Sequence, residues 1–215
     1  MRIVIAGGHG KIALLLSRQL ADAGHEPVGI IRNPAQAADL RAAGAIPLVL
    51  DLENSAIDDV AVALDGADAA VFAAGAGPNS DADRKLTLDR DGAILLADAS
   101  VRAGVRRLVM VSSMGADDYD ATSGDVFQVY LRAKGEADAA VRHRDLDWTI
   151  VRPGALTDSE PSGLVTMGET VDRGSIPRAD VAAVLAALLL GNTGVKRQFE
   201  ITSGQTPIAE ALGTL

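Results

Sequence analysis

The fold is decided by the stretch Met1-Arg-Ile-Val-Ile-Ala-Gly-Gly-His-Gly-Lys-Ile-Ala13, in which a β-branched run leads into a glycine-rich turn and a helix. Gly7 permits the tight turn, Gly10 lets a pyrophosphate approach the backbone, and Ala13 lies where the helix packs on the sheet. The following segment, Lys11–Ala23, is predicted to be helical. Its free N–H groups and the positive end of its dipole would face the phosphates. The stretch therefore predicts a dinucleotide site, with an ordinary tight turn of an α/β protein as the alternative.

Composition limits the classes of function. The 215 residues are 48% hydrophobic, which is enough for one substantial core, so we expect a single domain over residues 1–215. A net charge of −9 argues against nucleic-acid or anionic-membrane partners. The chain has no cysteine, and its three histidines lack ligand spacing, so no metal site is expected. With no signal-like or membrane-spanning segment, we expect a soluble, cytoplasmic protein.

Strand and helix signals alternate along the chain, which predicts a doubly wound parallel sheet in a three-layer α/β/α, Rossmann-like fold. The predicted strands are Arg2–Ala6, Pro27–Ile31, Ile46–Leu50, Ala69–Ala73, Arg107–Ser112, Thr149–Arg152 and Gln198–Ile201. The predicted helices are Lys11–Ala23, Ala35–Ala43, Ile57–Leu64, Asp83–Ala103, Val126–His143 and Asp180–Leu190, the last capped by Asp180 and closed by Gly191.

Three irregular segments follow predicted strand ends, at residues 75–82, 114–124 and 154–175. In open α/β sheets the ligand crevice lies outside the carboxyl ends of the strands. We therefore expect these segments to line the active site, with Gly154–Ser175 as a substrate or lid loop.

The end of the second strand bears on the choice of nucleotide. An Asp or Glu there would accept the ribose hydroxyls of NAD, but this chain has Ile31-Arg32-Asn33. Arg32 would instead pair with a 2′-phosphate, which favours NADP. A solvated Arg32 would leave the preference undecided.

The next two strand ends offer further contacts to the nucleotide. Asp51 could accept the adenine amino group while Leu52 covers the ring, or Asp51 could cap the next turn. The small residues of Ala73-Ala74-Gly75-Ala76 would let the adenosine lie against the backbone, or would serve close packing.

Residues able to carry proton transfer follow the fifth strand. Ser112 and Ser113 end that strand, and Tyr130 and Lys134 lie four residues apart on the next predicted helix. That spacing places them on one face, so the Lys134 ammonium could stabilise a Tyr130 phenolate and touch the nicotinamide ribose. One serine would hold the carbonyl oxygen, and strand register decides which. Alternatively, Tyr130 packs as a helix-face aromatic and Lys134 is solvated.

Six short motifs follow one another along nearly the whole chain. They are Gly7-Gly-His-Gly10-Lys-Ile-Ala13, Asp89-Arg-Asp-Gly92, Val111-Ser-Ser-Met-Gly115, Tyr130-x-x-x-Lys134, Val151-Arg-Pro-Gly154 and Ile176-Pro-Arg-Ala-Asp-Val-Ala182. Together they make the chain resemble an atypical short-chain dehydrogenase/reductase of the NAD(P)-binding, NmrA-like type, related to the NAD-dependent epimerase/dehydratase proteins.

The resemblance implies roles for individual residues. Ser113, Tyr130 and Lys134 correspond to the catalytic positions, and Pro153 and Gly154 would lie near the carboxamide. The full candidate nucleotide-binding set is Gly7, Gly8, His9, Gly10, Lys11, Ile12, Arg32, Asp51, Leu52, Ala74, Gly75, Ala76, Ser112, Lys134, Pro153 and Gly154.

Two departures from the family qualify this reading. Asp89 stands where the family has a catalytic asparagine, and an ionised carboxylate cannot donate the amide hydrogen bond. The chain also lacks the larger C-terminal substrate domain of the extended enzymes, which favours a small, uncharged or aromatic carbonyl or quinone over a nucleotide sugar. The expected function is an NADP(H)-dependent oxidoreductase, with a homodimer as one possible assembly. The alternatives are a non-catalytic NADPH-sensing regulator and a small NAD(P)-dependent epimerase or dehydratase.

Overall fold

A computed structural model describes residues 1–77 and 79–215, which form a nine-stranded, mostly parallel sheet covered by helices. A separate two-stranded sheet pairs Ala155–Thr157 with Ser175–Pro177. The strands are β1 Arg2–Ala6, β2 Glu26–Ile31, β3 Ile46–Val49, β4 Ala69–Phe72, β5 Arg107–Val111, β6 Asp147–Pro153, β7 Ala155–Thr157, β8 Leu164–Gly168, β9 Ser175–Pro177, β10 Arg197–Ser203 and β11 Thr206–Pro207.

The helices connect these strands and include one unusual segment. Between β4 and β5 the chain forms a short α-helix, an eight-residue π-helix at Lys85–Gly92 and a further α-helix without interruption. A 3₁₀ turn at Pro34–Gln36 precedes the second helix. The α-helices are α1 Lys11–Asp22, α2 Ala37–Ala42, α3 Ile57–Ala63, α4 Ala82–Arg84, α5 Ala93–Ala103, α6 Val126–Arg142, α7 Arg178–Gly191 and α8 Ile208–Leu212.

The strand order places the ligand crevice. The sheet runs β11-β8-β10-β6-β5-β4-β1-β2-β3, so its first six strands lie in the Rossmann order 3-2-1-4-5-6. β1 lies between β2 and β4, with Ala6 opposite Ile30 on one side and Phe72 on the other. The order reverses at β1 and β4, and a crevice forms at the carboxyl ends of such a pair. The glycine-rich turn leaves β1 at this point.

Alternating side chains of the central strands build one core on each face of the sheet. Ile3 and Ile5 of β1 pack with α1 and α7, whereas Val4 and Ala6 pack on the opposite face with α3, α5 and α6. All four side chains are fully buried. Burial on both faces explains the continuous apolar run in β1 and confirms the predicted three-layer α/β/α fold.

The expected loop at residues 154–175 contains strands that were not predicted. β7 starts one residue after the end of β6, and β8 pairs antiparallel with β10, so Thr166 lies opposite Thr202. β8 alternates little in hydrophobicity and is specified by its neighbour β10, which explains why the period-two pattern did not reveal it. Thus β8 brings part of this segment into the main sheet beside β10, while β7 belongs to the separate two-stranded sheet.

The start of α7 also differs from expectation. The helix begins at Arg178, not at Asp180, so the proposed cap is wrong. Asp180 is buried in the first turn, where its carboxylate accepts the backbone N–H groups of Ser162 (3.0 Å) and Gly163 (2.9 Å). The helix ends at Gly191, and Asn192 takes the left-handed conformation that terminates it. Among the described residues, no helix combines the length and apolarity needed to cross a membrane.

Candidate nucleotide-binding and active site

The glycine-rich turn is held tightly against the end of β4. Gly7 has a φ of +78°, and a Cβ atom added there would lie 2.5 Å from Cα of Ala74. A Cβ on Gly8 would lie 2.6 Å from Cα of Gly29 in β2. Both positions therefore require glycine. A side chain at either would be too close to the neighbouring backbone, and Gly7 also has a backbone conformation that other residues rarely adopt.

The turn leaves the N-terminus of α1 open toward the crevice. Gly10 occupies the cap position in an extended conformation and supplies no side chain to the first-turn N–H groups. Unsatisfied N–H groups and a positive helix end suit a phosphate, so the cradle fits a dinucleotide pyrophosphate. Beside it, Lys11 and Arg178 both contact Asp158, at 2.5 Å and 2.7 Å. The hydrogen bond from Lys11 and the two nearby positive charges lower the pKa of Asp158.

A cavity of about 420 Å³ lies on the β2–β3 side of this turn. It contains most of the residues predicted to contact the adenosine half of the nucleotide. Its lining is Gly7, His9, Gly10, Ile30, Ile31, Arg32, Asn33, Gln36, Leu50, Asp51, Leu52, Glu53, Ala73, Ala74, Gly75, Arg84 and Leu88.

A carboxylate that sequence reasoning missed lies at the centre of the charged wall of this cavity. Glu53 Oε2 accepts hydrogen bonds from Arg32 (3.1 Å) and Arg84 (3.2 Å), while its Oε1 accepts the Thr87 hydroxyl (2.8 Å). The sequence-based prediction for Arg32 did not include this carboxylate. It considered only the end of the second strand, whereas Glu53 reaches Arg32 from the segment after β3.

Two other candidates in this cavity make local contacts. Asp51 accepts the Glu53 backbone N–H (3.1 Å) and the Asn54 amide (2.8 Å), so its carboxylate caps the turn that follows β3. His9 pairs with Asp39, with 2.7 Å between Nε2 and Oδ2. Leu52 is buried and presents an apolar side chain to the cavity, as a surface for a base requires.

A second cavity of about 910 Å³ adjoins the first on the β5 side. The two share Gly10, Ala73, Ala74 and Gly75, so they form one continuous cleft across the glycine-rich turn. The lining of the second cavity is Gly10, Lys11, Ile12, Ala73, Ala74, Gly75, Gly77, Lys85, Asp89, Val111, Ser112, Asp125, Val126, Phe127, Tyr130, Lys134, Leu156 and Arg178.

Tyr130 and Lys134 lie together in this second cavity, on one face of α6. The Lys134 Nζ atom is 5.8 Å from the centroid of the Tyr130 ring and 3.2 Å from Asp89 Oδ1. Burial acts to lower the pKa of Lys134, but the charge and hydrogen bond of Asp89, together with Tyr130 and Asp138, outweigh it and leave that pKa raised. Lys134 therefore carries a proton at neutral pH. Asp89 Oδ2 also accepts the Ala76 N–H at 3.0 Å.

The two serines after β5 have different surroundings. Ser112 is buried, lines the cleft and donates its hydroxyl to Asp138 at 2.8 Å. Ser113 lies outside the two cavities, as do Pro153 and Gly154, and its hydroxyl donates to the Met114 carbonyl at 3.2 Å. The geometry thus brings Ser112 to the cleft with Tyr130 and Lys134, whereas Ser113 was the predicted partner.

Ser112 belongs to a buried charge network behind the cleft. Arg152 donates to Asp138 at 2.8 Å and binds both carboxylate oxygens of Asp117, at 2.6 and 2.9 Å. Burial raises the pKa of Asp138 despite the charge of Arg152 and the bond from Ser112, while the bonds from Arg152 lower the pKa of Asp117. The network ties the segment after β5 to α6 and β6.

Five charged residues in the cleft were not anticipated: Glu53, Arg84, Lys85, Asp125 and Arg178. For Lys85 a signal was available, because Lys85 and Asp89 are four residues apart on a predicted helix, the same spacing as Tyr130 and Lys134. Glu53 and Arg84 are 31 residues apart and meet only in the folded protein.

The sequence matches the NAD(P)H-binding family over residues 7–191, a range that includes both the glycine-rich turn and Lys134. The chain belongs to this family. It is 35% identical to the uncharacterized sugar epimerase YhfK of Bacillus subtilis, over 100% of both chains. Two solved structures share the fold over its full length.

One of these structures is a Bacillus halodurans protein whose name places it with the NAD-dependent epimerase/dehydratase proteins. It is 38% identical, with a TM-score of 0.91 and complete coverage of both chains. The other is the oxidoreductase ylbE of Lactococcus lactis, 26% identical with a TM-score of 0.87, over 100% of this chain and 96% of that one. The family and the Rossmann-like fold expected from the sequence are confirmed.

Proposed function

We propose that this protein is an NADP(H)-dependent oxidoreductase that reduces a small carbonyl or quinone. The observation that carries the proposal is the continuous cleft from Arg32, past the N-terminus of α1, to Tyr130 and Lys134. A dinucleotide laid along it would have its adenosine end by Arg32 and its nicotinamide end by Tyr130. The name of the Lactococcus lactis relative, an oxidoreductase, agrees with this assignment.

Different residues of the cleft would bind different parts of the nucleotide. Arg32 and Arg84 supply two positive charges for a 2′-phosphate, and the N-terminus of α1 with Lys11 receives the pyrophosphate. The small side chains of Ala73 and Ala74 leave room for the ribose beside the backbone. When bound, NADPH supplies the hydride.

Tyr130 is the proton donor in this proposal. A substrate carbonyl oxygen held within hydrogen-bond distance of the Tyr130 hydroxyl receives the proton as it gains negative charge. The protonated Lys134, kept in place by Asp89, stabilises the resulting phenolate. Ser112 orients the carbonyl if its hydroxyl turns from Asp138 toward the cleft.

The first experiment is calorimetric titration of the purified protein with NADPH and NADH. We expect roughly ten-fold tighter binding of NADPH, the size of one charge-assisted hydrogen bond, and loss of this preference in Arg32→Ala. Arg102→Ala is the matched control, because Arg102 is exposed on α5 and forms an exposed ion pair with Asp58. Equal affinities in the wild type would reject the NADP assignment, and no binding of either would reject the nucleotide site.

Turnover is tested separately, by loss of NADPH absorbance with a small quinone or an aromatic aldehyde. Tyr130→Phe should retain NADPH affinity and lose about a hundred-fold or more in rate, as expected for a proton donor. An unchanged rate would remove Tyr130 from its role. An epimerase, the activity in the name of YhfK, would return its nucleotide unchanged and show no net NADPH consumption.

A second candidate is a nucleotide-sensing regulator that signals through residues 154–175. Two contacts favour it: Asp89 stands in place of an amide, and the Ser112 hydroxyl is bound to Asp138. Hydrogen exchange of residues 154–175 with NADPH and with NADP⁺ distinguishes the two functions. A regulator requires different protection in the two nucleotide states together with no turnover, whereas an enzyme requires turnover.

A further inference from the structure

Lys85 is a buried cation in the wall of the cleft for which the proposed chemistry has no use. It is 6% exposed, lies in the π-helix and lines the larger cavity. Its Nζ atom donates to the Gly77 carbonyl oxygen at 2.5 Å and lies 5.4 Å from the centroid of the Tyr130 ring. Across residues 1–77 and 79–215, no carboxylate forms an ion pair with it. A buried charge without a counterion is costly, so this position suits an anion.

The other charged groups of the cavity are already engaged. Asp89 neutralises Lys134 at 3.2 Å. Asp125 caps α6 by accepting the N–H groups of Phe127 and Gln128, at 3.0 and 3.1 Å, and so is turned to the backbone. Neither carboxylate satisfies the charge of Lys85.

The cations near the N-terminus of α1 are also paired. Lys11 and Arg178 share Asp158 and lie by the N-terminus of α1, where the pyrophosphate is expected. Among the described residues of this cavity, Lys85 is the lysine beside Tyr130 that has no carboxylate partner. An anion bound to it would lie next to the proposed proton donor.

An apolar shelf adjoins Lys85. Phe127 stacks on Tyr130 with ring centroids 6.0 Å apart and planes inclined by 28°. Phe127 is 57% exposed and its neighbour Val126 is 40% exposed, although both line the cavity. Exposed aromatic and aliphatic side chains at a cleft mark a surface for an apolar partner, and stacked rings favour a flat one.

We propose that the substrate is a flat, apolar carbonyl compound that carries a carboxylate, which Lys85 binds while the apolar body lies on Phe127 and Tyr130. This inference rests on the proposed oxidoreductase function and narrows its substrate class. Lys85 is thus a specificity-determining residue that the hydride and proton transfers do not themselves need.

The test is calorimetric titration of the NADP⁺-saturated protein with naphthoate and with naphthamide. The two probes have the same aromatic body, but only naphthoate is charged. We expect naphthoate to bind about ten-fold more tightly, as one charge-assisted bond predicts. In Lys85→Met the affinity for naphthoate should fall to that for naphthamide, whereas Lys85→Arg should keep the preference. Lys196→Met is the control, because Lys196 lies beside Trp148 at the amino ends of β6 and β10, whereas the crevice is at the carboxyl ends of the strands.

Each other outcome contradicts the inference. Equal affinities of the two probes in the wild type, or no binding of either, would overturn it without any variant. A preference retained in Lys85→Met would assign the anion to another cation. Because NADP⁺ binding is measured first in the same calorimeter, failure of the nucleotide site is separable from failure of the carboxylate site.

Discussion

The Nζ atom of Lys134 lies 3.2 Å from Oδ1 of Asp89, and both side chains are almost completely buried. Asp89 also accepts the N–H of Ala76, which lies in the segment after β4. One carboxylate therefore joins that segment to the lysine beside Tyr130. Its position in the π-helix Lys85–Gly92 is consistent with the frequent occurrence of such segments at functional sites.

Asp89→Asn should destabilise the protein by about 3 kcal/mol near neutral pH, because it leaves the Lys134 charge buried without a counterion. The loss should shrink as the pH rises toward about 10. In the wild type the pKa of Lys134 is raised, so the pair's contribution to stability is complete below the ordinary lysine pKa and is lost as the pH rises through the raised pKa. In the variant, burial lowers the same pKa and the lysine loses its proton earlier. Urea unfolding at both pH values measures the effect.

Asp91→Asn provides the control for this change, since Asp91 is exposed two residues further on and pairs with Arg90. We expect it to alter stability by less than about 0.5 kcal/mol. The double variant Asp89→Asn/Lys134→Met should recover part of the loss, because it removes both charges. A constant loss across the pH range would show that Lys134 does not respond to Asp89.

Glu53→Gln should tighten NADPH binding by roughly five-fold and leave NADH binding nearly unchanged. The Glu53 carboxylate now holds Arg32 and Arg84, at 3.1 and 3.2 Å, and competes with a 2′-phosphate for both. Its removal frees the two guanidinium groups for the ligand. Calorimetry with both nucleotides measures the ratio.

The matched control is Glu210→Gln, an exposed position on α8. If Glu53→Gln instead weakens NADH by a similar factor and leaves NADPH unaffected, Glu53 holds the ribose hydroxyls. The protein would then prefer NAD, and the proposal for Arg32 and Arg84 would be wrong.

Arg152→Gln should destabilise the protein by about 3–5 kcal/mol at neutral pH, because it leaves the buried Asp138 carboxylate without its ion-pair partner. The penalty should fall under acidic conditions. Burial already raises the pKa of Asp138, and loss of Arg152 raises it further, so mild acid protonates and neutralises this carboxylate in the variant. Denaturant unfolding at neutral and mildly acidic pH measures the difference.

A second effect acts in the same direction. Arg152 lowers the pKa of Asp117, and this stabilisation, present above the ordinary pKa, is lost from the wild type as the pH falls. Arg102→Gln, which removes an exposed pair with Asp58, should change stability by less than about 1 kcal/mol. The double variant Asp138→Asn/Arg152→Gln should be more stable than Arg152→Gln alone. A penalty that grows in acid would contradict the assignment.

The central fold could be predicted because its strands and helices have recognisable local sequence patterns. β1, β2, β4 and β5 are mostly apolar runs buried on both faces, and the helices between the strands are punctuated by glycine and polar caps. The short strands β7, β8, β9 and β11 have two to five residues each and are specified by their partners in space, so periodicity could not reveal them.

Contacts in the site could be predicted only where the two residues are close in sequence. Four residues separate Tyr130 from Lys134, and helix geometry alone brings them together. The choice of Ser112 over Ser113 depends on strand register, since neighbouring strand residues point to opposite faces. The junction of Glu53 with Arg84 depends on the docking of the β3 and β4 connections, which no local pattern encodes.

Gly135→Ala tests the packing that positions α6. In an exposed helix interior this change would stabilise by about 1 kcal/mol, but here the added Cβ would lie 2.2 Å from the carbonyl oxygen of Ala116. We expect a net loss of about 1–3 kcal/mol in urea unfolding, because backbone atoms must move. Gly191→Ala, at the end of α7, is the matched control. Its nearest neighbour would be 3.5 Å away, so it should be neutral or stabilising. If both variants gain stability, α6 is not held by this contact, and the segment around Ala116 does not fix Lys134 in the cleft.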